Sequence, residues 1–158
     1  MTFKNNVFIT DIRQETINNI NYRRVINTSQ NQQLVLMSLK PNEDIELEIH
    51  PDNDQFIRIE QGRAIAFIGS NKENHYELSA GMCIVVPAGT WHQIVNSSNT
   101  EYLKLYTIYS PPHHPIGQID KIRPQTGGLK NQLSNSDLNN LKKYYKYKYK
   151  YEHLKNQL

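Results

Sequence analysis

Between Val7 and Tyr109 the apolar positions come in short runs rich in Val, Ile, Tyr and Phe, broken by polar turns. Such runs suit a pleated, half-buried surface, and they predict strands over 22–27, 33–40, 46–50, 55–60, 64–69, 75–78, 83–86, 91–95 and 102–109. The turns are marked by Pro41 with Asn42, by Pro51 to Asp54, by Gly69 to Asn71, by Ala80 with Gly81, by Pro87 to Gly89, and by Asn96 to Asn99. No long amphipathic helix interrupts the first 120 residues. Many short strands without alternating helices predict an all-β fold, a sandwich or a closed barrel.

The pattern changes after Tyr109. Pro111, Pro112, Pro115 and Pro124 break any further strand, and Thr126, Gly127 and Gly128 mark a linker. We therefore expect a barrel domain over 5–124 and a C-terminal tail over 125–158. Ser134 or Ser136 could cap a short helix through Leu138 and Leu141. The low-complexity Lys/Tyr stretch 142–151 either continues that helix or stays disordered, and period alone does not decide.

Charge divides along the same boundary. Residues 1–120 carry 9 Lys/Arg against 13 Asp/Glu, a net −4, and residues 121–158 carry 9 against 2, a net +7, which together give the +3 of the whole chain. A Lys/Tyr tail could meet phosphates and stack on bases, so nucleic acid is one possible partner; a solvated, weakly ordered extension is the alternative, and we favour it. No run approaches the roughly 20 apolar residues of a bilayer span, so no membrane partner is expected. Residues 1–10 lack the basic and apolar regions of a secretory signal. The lone Cys83 sits in an apolar run and reads as a buried structural thiol. A cytoplasmic location is expected.

Two segments carry candidate chemistry, 42–62 and 81–96. On a strand, side chains two apart share a face, so Glu48 and His50 are expected to point the same way. If that way is inward, Gln55 can join them from the next strand, and His92 can arrive from elsewhere, aimed by the turn Pro87, Ala88, Gly89. Two imidazoles, a carboxylate and an amide oxygen on rigid strands suit a divalent transition metal.

The segments resemble the two motifs of the cupin superfamily. The first, G-x5-H-x-H-x4-E-x6-G, is matched by Asn42, Glu48, His50, Gln55 and Gly62; the second, G-x5-P-x-G-x2-H-x3-N, is complete in Gly81, Pro87, Gly89, His92 and Asn96. Asn42 stands where the family has Gly, a mild change because Asn tolerates a left-handed backbone. Glu48 stands for the first His and Gln55 for the Glu. The resemblance implies a double-stranded β-helix, a jelly-roll-like cupin barrel, with metal ligands at Glu48, His50, Gln55 and His92. The metal would be one divalent ion, with Fe, Mn, Ni, Zn and Cu not distinguished. A site that holds no metal, with Gln55 bonded to His50, is the alternative.

Residues 54–62 and 105–115 are similar to a subgroup of small single-domain cupins labelled mannose-6-phosphate-isomerase-like. That label reflects a shared barrel, and fold does not confer function. The expected function is a metal-binding cupin acting on an unidentified small molecule, by dioxygenase or isomerase-type chemistry. A non-catalytic small-molecule or partner-binding cupin is the alternative. No catalytic acid or base can be named from the sequence. His113 and His114, set among prolines, read as a solvated loop. The apolar Val7, Phe8 and Ile9 could pair across two chains, so a homodimer is expected.

Overall fold

The structure, a computed structural model, describes residues 7–124. Both the helix expected near 134–141 and the Lys/Tyr stretch, with any nucleic-acid role, lie outside the described residues. Among the described residues no helix is long and apolar enough to cross a membrane.

Ten strands and one helix follow in the order α1 (Ile12–Asn18), β1 (Arg23–Thr28), β2 (Gln33–Leu39), β3 (Asp44–Glu48), β4 (Asp54–Gln61), β5 (Arg63–Ile68), β6 (Asn74–Ser79), β7 (Cys83–Val86), β8 (His92–Asn96), β9 (Leu103–Ser110) and β10 (Ile119–Asp120). They form a six-stranded sheet, β10-β1-β2-β9-β4-β7, and a four-stranded sheet, β3-β8-β5-β6. The paired strands run antiparallel throughout. This is the expected all-β double-stranded β-helix.

Period-two burial shows which face is inside. In β9, Leu103, Leu105, Thr107 and Tyr109 are buried while the alternate positions are not. Val35, Met37, Leu39, Ile57, Ile59, Ala64, Ala66 and Ile94 join Leu103 and Leu105 in one apolar cluster between the sheets. Removing that area from water is the main favourable term for a fold with so little helix. At Gly62, φ is +89°, and a Cβ would stand 2.8 Å from the Tyr102 carbonyl oxygen, so no other residue fits the turn from β4 to β5. Asn42 has φ 61°, the left-handed backbone its place in the motif requires.

Three details differ from the sequence reading. The helix α1 was too short to show a periodic stripe; Asp11 caps it by accepting from the Gln14 N–H at 3.0 Å. It lies on the outer face of the six-stranded sheet, where the outward-facing Lys104 donates to the Asn19 carbonyl and, at 2.8 Å, to Ser38. The two-residue β10 carries no pattern of its own. Cys83 is exposed, not buried: it lies on edge strand β7 opposite Arg58 and faces outward, while Ile84, opposite Ile57, faces the core. Val7, Phe8 and Ile9 are 80%, 45% and 86% exposed and belong to no strand.

Candidate metal centre

The strand expected over 46–50 runs instead over Asp44–Glu48, and a bulge decides what its last residue faces. Ile45 pairs with Ile94 and Glu48 with His92, so β3 uses three residues where β8 uses two. Without the extra residue, Glu48 would turn away from the face that buries Ile45. With it, Glu48 and His92 stand opposite each other on the inner face. His50 lies just past the strand, and its backbone carbonyl accepts from the Gly89 N–H at 2.7 Å, which ties the two motif segments together. Gly89 makes that contact with φ +77°, within the turn that precedes His92.

Glu48, His50 and His92 form a cluster whose ligating atoms lie within 4.8 Å of one another. One carboxylate oxygen, Glu48 Oε1, is 3.1 Å from His50 Nε2 and 3.6 Å from His92 Nε2. His92 Nδ1 faces the Thr90 carbonyl at 3.0 Å, so it carries the proton and leaves Nε2 as a bare lone pair. That Nε2 is buried and has no hydrogen-bond partner. Burial alone would raise the Glu48 pKa, but the adjoining His50 and His92 imidazoles outweigh it and hold the carboxyl well below the usual range.

Gln55 is fully buried on β4, directly across from Tyr109. Its Nε2 donates to the Tyr109 hydroxyl at 3.0 Å, rather than to His50, and its Oε1 is a buried acceptor with no partner. The Tyr109 ring in turn meets His50 edge-on at 5.4 Å. Gln55 is therefore linked to the cluster indirectly, through the Tyr109 ring. His92 Nε2 and Gln55 Oε1 are both buried, without a partner and able to donate to a metal, so the residue set fits a bound divalent ion. Burial pushes the Tyr109 hydroxyl pKa far up, which keeps it neutral and unsuited to act as a base.

The loop after β9 is where sequence reasoning fell short. His113 remains exposed, yet its ring packs against His50 at 4.3 Å. His114 is half-buried, and burial, followed by the nearby Arg23 charge, pushes its pKa down to about 3. Both backbone N–H groups, at 3.2 and 2.7 Å, are held by Oε1 of the buried Gln33, whose Nε2 donates to the His114 carbonyl at 2.8 Å. His114 is thus part of the packed wall and not a solvated residue. The available signal was Gln33, a polar side chain in phase with Val35 and Met37. Neither histidine belongs to the carboxylate–imidazole cluster.

Asn96 stands at the other end of β8 from His92. Its side-chain amide donates to the carbonyls of Leu39, Lys40 and Glu101 at 3.1, 2.9 and 2.8 Å, and its oxygen accepts from the Ser98 N–H at 3.0 Å. No other side chain could serve all four backbone groups from that position, which explains an Asn at the end of the second motif.

Known proteins agree with this architecture. A family model described as the cupin domain matches residues 35–109. Protein L612 of Acanthamoeba polyphaga mimivirus is 64% identical over 148 residues, covering 94% of this chain and 90% of its own. Protein YrkC of Bacillus subtilis is 48% identical over 122 residues; the match covers 73% of this chain and 63% of YrkC. The crystal structure of BH2720 from Bacillus halodurans is 42% identical with a TM-score of 0.71, covering 74% of this chain and 90% of that one. The chain belongs to the cupin family.

Proposed function

We propose that the protein binds one divalent transition metal through Glu48, His50, His92 and Gln55 and acts on a small molecule at that ion. The observation that supports this most is His92: its Nδ1 is anchored to a carbonyl at 3.0 Å, and its Nε2 is buried, partnerless and within reach of Glu48 and His50. A bound ion would supply Lewis acidity and coordination sites for an oxygen-bearing ligand. The chain's own residues hold and orient it: Glu48 supplies the charge, Thr90 fixes the His92 tautomer, and Tyr109 turns the Gln55 amide so that its oxygen is free. Reaction type is proposed only as far as dioxygenase or isomerase-type chemistry.

A second reading, a non-catalytic binding barrel, draws support from the same site. Its carboxylate lies against the two imidazoles and its hydroxyl is held neutral by burial, so neither is placed to act as a free acid or base. Oxygen uptake by metal-loaded protein against a panel of enolic and phenolic compounds, with solvent-deuterium exchange into the same compounds, separates the two. Turnover that disappears in His92→Ala supports the enzyme; tight binding without uptake or exchange supports the binding module. A homodimer paired through residues 7–9 is part of this proposal, and the exposure of Val7 and Ile9 is consistent with it.

A further inference from the structure

The inner faces of the two sheets part on one side of the barrel. There β7 is the edge of one sheet, paired only with β4, and β6 is the edge of the other, paired only with β5. Between them lies a cleft of about 630 Å³, with Ile68, Leu78, Met82, Ile84, Val86 and Pro87 among its walls. These walls continue the inner face of the barrel. Ile68 is in phase with the core residues Ala64 and Ala66, and Ile84 and Val86 stand opposite Ile57 and Gln55. Yet the cleft opens to solvent, with Tyr76 53% and Met82 46% exposed.

The register shows where the cleft leads. Val86 on one wall is directly opposite Gln55, and Ile68 on the other wall is directly opposite His92. Neighbouring strands lie about 4.8 Å apart. One strand further in, each apolar wall therefore becomes one of the partnerless polar atoms, Gln55 Oε1 or His92 Nε2. Thr90, whose carbonyl holds His92, also lines the cleft.

We propose that this cleft between β6 and β7 binds the body of a neutral, largely apolar small molecule whose oxygen-bearing end points toward Gln55 and His92. The second half of the proposal rests on the metal reading above. Aliphatic walls favour an aromatic or branched aliphatic body. The lining holds no Lys or Arg, and Glu77 stands among it, so phosphorylated and other strongly anionic ligands are disfavoured.

The test follows the methyl resonances of Ile68 and Ile84 in the full chain by NMR. The probes are 4-tert-butylphenol, which has a body and no chelating end, and 4-tert-butylcatechol, which has both. The phenol should shift both methyls saturably, with or without divalent metal. Met82→Asp should weaken that binding by about fivefold or more, because it puts a charge against the apolar body. Ile20→Asp, at an exposed site outside the cleft lining, should leave it unchanged. Metal should tighten the catechol and not the phenol. Phenol binding that spares Ile68 and Ile84, or is unaffected by Met82→Asp, overturns the cleft. Methyl shifts that follow protein concentration instead of phenol show that a second copy fills it, and also overturn it. A phenol that binds as expected while metal leaves the catechol unchanged upholds the cleft and retires the placement of the oxygen-bearing end.

Discussion

Residues 81–96 and residues 42–62 each deliver part of one site, and they do so by different physical means. In 81–96 bonds to backbone groups anchor the motif residues: Gly89 bonds back to His50, the Thr90 carbonyl selects the His92 tautomer, and Asn96 gathers three carbonyls. In 42–62 the side chains depend on long-range pairing. Glu48 faces inward because a bulge in β3 re-phases it against β8, and Gln55 is oriented by Tyr109 from another strand. Residues 81–96 match their family motif completely; residues 42–62 depart from theirs at Asn42, Glu48 and Gln55. Positions fixed by bonds to backbone groups allow few residue types, whereas positions fixed by strand pairing accept any side chain that offers a donor of the right reach.

Substitutions at the two segments should break or sharpen this contrast. The largest effect belongs to the backbone-anchored side. His92→Ala removes an anchored ligand, and the affinity for divalent metal should fall by at least about 100-fold, read by calorimetric titration. Asn96→Ala strips partners from three carbonyls and an N–H in a buried corner, and should cost about 2–4 kcal/mol in urea unfolding with the barrel still cooperative. A loss under half that would show that the turn holds without it. On the pairing-built side the site should be improvable. Gln55→Glu adds negative charge beside the ion and should tighten metal binding about tenfold, or about 1.4 kcal/mol. It should also destabilise the metal-free protein, because a buried carboxylate then lacks its counter-charge. The smallest effect is at Asn42. Asn42→Ala should cost about 1 kcal/mol for its left-handed backbone, and Asn42→Gly should fall within about 0.5 kcal/mol of the natural chain.

The same distinction explains what could be read from the sequence. The all-β class was legible because β9 and β2 alternate or bury their apolar positions so plainly, and His92 was legible because Pro87 and Gly89 announce the turn before it. Glu48 and His50 were expected together on strand phase. They are together, but through a bulge and a residue beyond the strand end, because pairing with β8 set the register and no local signal encodes a bulge. Cys83 was misread because an apolar run says nothing about which strand is an edge. His114 was misread because its burial depends on Gln33, which is distant in sequence. Gln55 was placed inside correctly, but its partner Tyr109 could be found only from the pairing of β4 with β9.

The central claim is that these side chains hold one metal ion. The most direct measurement is the metal content per chain of protein purified without chelator and without a metal-affinity tag, then dialysed against divalent metal, for the natural chain and for a variant carrying both His50→Ala and His92→Ala. The account predicts about one divalent transition-metal ion per natural chain and none in the double variant, with both chains folded by circular dichroism. Equal metal content in the two proteins, or none in the natural chain at saturating metal, would contradict it.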